Sequence, residues 1–413
     1  MKLLSLFSGI GAFEKALENL GEPVDLINYC EIDKYASKAF ALIHHVDESM
    51  NLKDVCSVKP NELPKDIDLI TYGFPCQDIS NAGKQRGFVN EDGQLTRSGL
   101  FFTALHIIEE TKPKIAIAEN VKALTSKKFS SEFQTVLTSL NQAGYQNYWS
   151  VLNAKDYGIP QNRERVFIIS IRNDIAHGFD FPQKQELKLR LKDLLEDNVE
   201  EKYFLSDNSI IEESKDGCLL IKEATEKGFK EAHEGDYVNI QYPKSKTRRG
   251  RVGDQIANTL ICTDNNGVVT YGIDKSNNNP KSIEIANCIT AREDRGISNH
   301  KSEGTAVVEQ TRSSLRVRKL TPKECLRLMG FDDRDCDILI ENKISNTQLY
   351  KMAGNSIVVD VLEQIFLSLF NQYQDIFHNN LKIEKSQENE QDASSDWESR
   401  QITIFDLLNY KEV

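Results

Sequence analysis

Through about residue 180 the chain alternates short apolar runs with stretches of helical spacing, and the ends of those runs carry its chemically active side chains. Lys2 to Phe7, Val24 to Cys30, Ile67 to Tyr72, Ile115 to Ala118 and Val166 to Ile171 read as strands. Ala12 to Asn19 and Leu100 to Thr111 read as helices, the second closed by Pro113. Strands interleaved with helices predict an α/β fold with a mostly parallel sheet covered on both faces. Such sheets bind ligands at the carboxyl ends of their strands.

That edge is where the informative residues fall. Gly73-Phe74-Pro75-Cys76-Gln77 follows the third run. A cysteine there is either an attacking thiolate or a small inert core residue. Glu119-Asn120-Val121 ends the fourth run and Gln161-Asn162-Arg163-Glu164-Arg165 precedes the fifth. In a parallel sheet these are expected to converge on one edge. A nucleophile, an acid and fixed cations together suit attack on an electron-poor ring. Phe7-Ser8-Gly9-Ile10-Gly11 opens the first helix, where glycines let a ligand approach the backbone. Glu31 ends the second run, placed to hold ribose hydroxyls, and Asp54 is placed to receive an adenine amino group. The set points to a nucleoside-bearing cofactor, without a triphosphate cradle.

Composition excludes several classes. The 413 residues carry a formal net charge of −12, so the protein as a whole is not a basic nucleic-acid binder. Basic residues cluster locally at Arg248, Arg249 and Arg251 and from Arg312 to Lys319, which is what phosphate contact requires. Residues 384–413 hold eight acids and three bases, a net of −5. The eight cysteines show no metal or disulfide spacing, so no metal and a reducing compartment are expected. No segment reads as long and apolar enough to span a membrane, and no signal peptide opens the chain. A cytoplasmic, nucleoid-associated protein is the expectation.

Beyond Pro182, until about Arg312, the chain is rich in Asn, Gly, Lys and Ser, with short strand candidates and few helices. Ile256-Ala257-Asn258-Thr259-Leu260 recurs as Ile285-Ala286-Asn287-Cys288-Ile289, each followed by a Gly-containing loop and a Val-Val pair. The pattern predicts two hairpin-like units. Helical character returns at Thr321-Pro322-Lys323-Glu324, a cap with Pro at the first helical position. A last helix is expected from about Val358 to Phe370.

In order, the motifs Phe7–Gly11, Gly73–Gln77, Glu119–Val121, Gln161–Arg165, Arg318-Lys319-Leu320-Thr321-Pro322-Lys323-Glu324-Cys325 and Gly354-Asn355-Ser356 resemble the DNA (cytosine-5)-methyltransferases of bacteria and phages. The resemblance covers about residues 3–181 and 315–370. It implies a Rossmann-like fold that uses S-adenosylmethionine, with a smaller, mainly β or irregular target-recognition domain. The corresponding boundaries are 1–181 and 313–375 for the catalytic domain, 185–312 for target recognition, 376–400 for an acidic linker and 401–413 for a terminal motif. It implies that Cys76, Glu119, Arg163 and Arg165 act on a flipped cytosine. Arg163 would support the phosphate or the nucleophile. Phe7, Gly9, Gly11, Glu31, Ile32, Asp54, Pro75, Asn355 and Ile357 would line the cofactor pocket. Ser80, Lys84, Gln85 and Arg97 would close over duplex DNA. Arg248, Arg249, Arg251, Thr259, Leu260, Arg292 and Arg295 are candidates for reading it, with either repeat copy able to supply the family's Thr-Leu signature. Ser5, Ala12 and Ile32 depart from the family pattern, which bears on cofactor affinity. The implied partners are double-stranded DNA, bound by a monomer, and a functionally paired restriction endonuclease. Gln401-Ile402-Thr403-Ile404-Phe405 resembles peptides that dock on the replication sliding clamp; packing on the chain's own catalytic domain is the alternative. Two rivals stay open: a transfer-RNA methyltransferase on the same scaffold, and an inactive DNA-binding relic.

Overall fold

The computed structural model describes residues 1–75, 88, 97–205, 210–215, 217–260, 262, 266–271 and 315–377. Cys76, Ser80, Lys84, Gln85, Arg292, Arg295, the second repeat copy and the terminal motif lie outside these residues. By packing, the described residues fall within one compact unit, Met1–Asn379.

In chain order the main elements are β1 (Lys2–Leu6), α1 (Ala12–Asn19), β2 (Asp25–Cys30), α2 (Lys34–Ile43), β3 (Leu69–Tyr72), α3 (Phe101–Thr111), β4 (Ile115–Val121), α4 (Ser130–Gln142), β5 (Tyr145–Asn153), β6 (Gln161–Asn162) and β7 (Glu164–Arg172). There follow β8 (Ile211–Lys215), β9 (Cys218–Lys222), β10 (Phe229–Ala232), β11 (Tyr237–Asn239), β12 (Val252–Gly253), β13 (Ala257–Asn258), β14 (Asn266–Tyr271) and β15 (Leu315–Lys319). The chain then turns helical with α5 (Pro322–Arg327), α6 (Asp333–Glu341), α7 (Asn346–Asn355) and α8 (Val359–Gln372).

The central sheet has six strands in the order β2-β1-β3-β4-β7-β5. Its β1, β2, β3 and β4 are parallel, whereas β7 runs antiparallel to both β4 and β5. The strands are apolar on both faces because both faces are covered. Leu3, Leu69, Ile115 and Ile117 face a core shared with α1, α2 and α8. Leu4, Ile70 and Ala116 face a second core built with α3 and α4. Leu219, Ile221, Val238, Val252, Val269 and Val317 close a separate small core around β9, β11, β12, β14 and β15.

Several expectations meet the structure directly. The cap at Thr321 is a complete capping box: Thr321 Oγ1 accepts from Glu324 N at 3.2 Å, and Glu324 Oε2 accepts from Thr321 N at 2.8 Å. The expected hairpins do not form among the described residues. Instead β13 pairs in parallel with β6, while β14 pairs with β11 and β15. The basic run ending at Lys319 is not a free cationic surface either. Arg316 pairs with Glu201 and lies 4.3 Å from the Phe204 ring, and buried Arg318 forks onto Glu324 at 2.7 and 2.8 Å. Asn346–Gln372 is, by length and composition, apolar enough to pass for a membrane span, contrary to the sequence reading. It is broken at Ser356–Val358, and Leu349, Leu362, Ile365, Phe366 and Leu369 are buried in the first core.

Helix α1 also carries a buried carboxyl. Neither oxygen of Glu14 has a hydrogen bond of ordinary geometry, although the Ser5 hydroxyl is close enough to oppose burial and pull its pKa down. Burial dominates and pushes the group up to about 7. A carboxyl raised in the fold stabilises it least when ionised, so stability falls as pH rises from the unfolded value to about 7 and then levels off. The shift corresponds to about 3 kcal/mol. Glu14→Gln lacks this dependence: relative to wild type it should gain about 3 kcal/mol between pH 4 and pH 8. Urea unfolding at the two pH values measures it, and a gain independent of pH would contradict the assignment.

Candidate active site and cofactor pocket

The direction of β7 builds the site. Gln161–Arg165 runs into the first residues of β7, and in a wholly parallel sheet the start of a strand lies at the opposite edge from the ends of its neighbours. Because β7 is antiparallel, its first residues meet the last residues of β4, with Val121 opposite Arg165 and Glu119 opposite Phe167. Glu119 and Arg165 are therefore brought together for a reason opposite to the one the sequence suggested, while Cys76 lies outside the described residues. Glu119 and Arg165 become diagonal neighbours on one face of the sheet.

Arg165 Nε donates to Glu119 Oε1 at 2.9 Å, with 16% and 14% of the two side chains exposed. Burial raises the Glu119 carboxyl, against the opposing pull of Arg165 and then Arg163. Its other oxygen faces the end of β3, where a Cβ on Gly73 would stand 3.4 Å from Oε2. Buried Asn120 donates from Nδ2 to Phe74 O at 3.0 Å, fixing the backbone two residues before Cys76. The site thus has a largely buried carboxyl able to hold or share a proton, a cation on one of its oxygens, and the end of β3 beside the other.

Arg163 is not placed as expected. Only 3% exposed, it donates from Nη1 to Leu260 O at 3.1 Å and from Nη2 to Gly354 O at 3.0 Å and Ser356 O at 2.6 Å. Its guanidinium therefore binds backbone carbonyls and is not presented to a DNA phosphate. The first repeat copy is fastened to the same stretch. Ala257 N donates to Pro160 O at 2.8 Å, Thr259 Oγ1 to Asn162 O at 2.8 Å, and Leu260 N to Gln161 Oε1 at 3.2 Å. Leu260 is buried, so it serves packing rather than DNA contact. Arg251 is also fully buried, its guanidinium donating to the carbonyls of Lys222, Asn239, Gln241 and Tyr242. Arg248 is half-buried and Arg249 exposed. Arg97 lies in the short turn leading into α3.

The proposed cofactor residues gather between β1, β2 and α7. Phe7, Gly9 and Gly11 have φ of 54°, 58° and 82°. Nothing lies within 4 Å of a Cβ added at Gly9, so a ligand can reach the backbone there. Gly11 answers a different need: a Cβ would stand 2.0 Å from His44 Nε2. Glu31 accepts from Gly9 N at 2.9 Å and Asp33 N at 2.7 Å, and its carboxylate oxygens keep further lone pairs for hydroxyl donors. Ile32 is 77% exposed, an apolar surface suited to a flat ring. Asp54 is exposed and caps a short turn by accepting from Cys56 N at 2.9 Å. Exposed Asn355 accepts from the Cys262 thiol at 2.9 Å, while Pro75 and Ile357 are half-buried. These residues fit a nucleoside-bearing group with no phosphate. Asn51, which the sequence reading missed, holds Glu31 through both its backbone N–H and carbonyl. Asn120 and Gln161 were visible only as members of their motifs. Among the described residues no group of three acidic, His or Cys side chains is placed to hold a metal.

Arg165 is the largest charge opposing the rise of the Glu119 carboxyl. Arg165→Met should therefore raise its titration midpoint further. Carbon-13 NMR of labelled Glu carboxyls, assigned with Glu119→Gln, measures it. An unmoved or lowered midpoint would show that the pair does not control this proton.

Comparison with known proteins identifies the family. A C-5 cytosine-specific DNA methylase family profile matches residues 1–371. The chain is 32% identical over 445 residues to orphan methyltransferase M.SPRI of Bacillus phage SPR, covering 90% of this chain and 98% of that protein. It is 36% identical over 357 residues to type II methyltransferase M2.ScrFI of Lactococcus lactis subsp. cremoris, covering 86% and 81%. The solved structure of the Entamoeba histolytica methyltransferase EhMeth shares the fold at 17% identity, with a TM-score of 0.55 over 90% of this chain and 98% of that one. The chain belongs to the C-5 cytosine-specific DNA methylase family and is a DNA (cytosine-5-)-methyltransferase.

Proposed function

We propose that the protein methylates carbon 5 of a cytosine flipped out of a specific duplex sequence, through a covalent bond to Cys76. The observation that carries the reading is the Glu119–Arg165 pair, with the other oxygen of Glu119 beside Gly73, in the segment that leads to Cys76. A base inside the duplex stack is out of reach, so the target has to be extruded. The Cys76 thiolate forms a bond from sulfur to ring carbon 6. The electron pair released passes into the ring as Glu119 gives or shares a proton at ring nitrogen 3. Arg165 holds Glu119 and the ring carbonyl oxygen. Carbon 5 is then electron-rich. S-adenosylmethionine, when bound, supplies an electrophilic methyl group. Loss of the carbon 5 proton and cleavage of the sulfur–carbon bond restore the aromatic ring and free Cys76.

Arg163 acts in this scheme by position, holding Leu260, Gly354 and Ser356 around the site. Glu31, Gly9, Ile32 and Asn355 would hold the cofactor's nucleoside and methionine parts. Residues 185–312 would form the target-recognition domain. The biological role we favour is protection of DNA in a restriction–modification system, in the cytoplasm.

Cys76→Ala should lower methyl transfer by at least about 10⁴-fold while duplex binding persists. Duplex DNA carrying 5-fluorocytosine at the target should trap the wild-type protein irreversibly, because fluorine cannot leave as the proton does. Bisulfite sequencing of DNA treated with the protein identifies that target. Turnover by Cys76→Ala, or methylation of transfer RNA in place of duplex DNA, would sink this reading.

A separate partner is proposed from sequence alone. Gln401–Phe405 follows an acidic, polar stretch and resembles clamp-docking peptides. Gln401→Ala with Phe405→Ala should abolish retention of the full chain on an immobilised bacterial sliding clamp. Unchanged retention would exclude the motif.

A further inference from the structure

The loop between β11 and β12 is built unlike an ordinary solvated turn. Tyr242 adopts φ 52°, a conformation that side-chain-bearing residues rarely occupy, yet its ring is 65% exposed. Two donors hold its carbonyl: Ser245 N at 2.9 Å and Arg251 Nη2 at 3.3 Å. Arg251 also gathers Asn239 O and Gln241 O from the loop's rising limb, at 2.6 and 3.2 Å, and Lys222 O at 2.9 Å. Burial lowers its acid constant's pKa from the ordinary arginine value, so this is a desolvated cation committed to loop geometry. The falling limb is pinned by Glu223, which accepts from Gly250 N at 2.8 Å and Arg251 N at 3.1 Å. Ala224 N completes the frame by donating to Arg248 O at 2.7 Å.

What this frame holds out is an aromatic residue in a basic loop. Lys244, Lys246 and Arg249, all exposed, follow Tyr242 in the loop, and no acidic residue occurs between Gln241 and Arg251. Exposed aromatics amid fixed positive charge suit a nucleic acid, whose phosphates meet the cations while a base or sugar meets the ring. The loop is also tied to the reaction centre. Asn258 Nδ2 donates to Gly250 O at 3.2 Å, and Asn258 pairs with Asn162, next to Arg163.

We propose that Tyr242 contacts duplex DNA beside the target cytosine, and that Arg251 is the positioning residue that holds it there. This deepens the methyltransferase reading and rests on it. The cost of fixing the loop is met during folding, so the ring meets DNA already in place.

The test uses the full chain and a fluorescent duplex carrying the methylated site found by bisulfite sequencing. Tyr242→Ala should weaken binding and raise the KM for DNA by roughly tenfold or more, with kcat at saturating DNA and the thermal midpoint unchanged. Tyr242→Phe should restore most of the binding. Arg251→Lys should raise the same KM, and adding Tyr242→Ala to it should cost little more, because both changes remove one contact. Wild-type binding by Tyr242→Ala would overturn the proposal. So would a loss confined to kcat, or a loss of capture of a protein partner with DNA binding intact. A wild-type protein that transfers no methyl group would fail the functional reading separately. Binding of the Tyr242 variants to a mixed-sequence duplex still decides the role of the loop in that case.

Discussion

The reversed strand β7 is the constraint on which the site depends. Lying between β4 and β5 and antiparallel to both, it carries the start of one strand to the edge where its neighbours end. A motif that precedes a strand can then share a site with motifs that follow strands. Glu119 and Arg165 meet only through that register. The pair is partly desolvated, so the carboxyl is held between two demands, burial favouring the neutral form and arginine the charged one. A proton on such a group is easily shared with a ring nitrogen.

A second layer of organisation runs through backbone carbonyls. Arg163 and Gln161 spend donors on Leu260, Gly354, Ser356 and Leu328, joining the start of β7 to the segment after β13 and to the helical return. Asn120 does the same for the loop before Cys76. Arg251 repeats the device farther out. In each case a side chain that looks like a ligand-binding group in sequence fixes irregular backbone, the part of a fold that has no ladder to satisfy its carbonyls.

This explains what was legible beforehand. The strands Lys2–Leu6 and Leu69–Tyr72 and the helix Ala12–Asn19 declare themselves by period and flanking glycines. Thr321-Pro322 declares a helix start by cap chemistry. Strand β5 does not, because it is an edge strand with Gln146, Asn147 and Ser150 among its residues. Helix α2 was missed although Asp33 caps it, accepting from Tyr35 N and Ala36 N. Motif order was enough to place Glu119 and Arg165, but residue type could not tell an arginine that faces substrate from one that faces carbonyls. That distinction depends on which backbone groups a distant segment leaves unpaired, as Leu260 does for Arg163. The sign of β7 was hidden for a related reason, since antiparallel and parallel central strands share one composition.

The short β6–β13 pairing has a consequence for which changes the chain can absorb. Ala257–Leu260 is fastened to Pro160–Arg163 through backbone pairing and the Gln161 and Arg163 side chains. Pairing through main-chain groups is indifferent to most side chains, so the joint tolerates variation in the segments on either side of it while Gln161 and Arg163 stay in place.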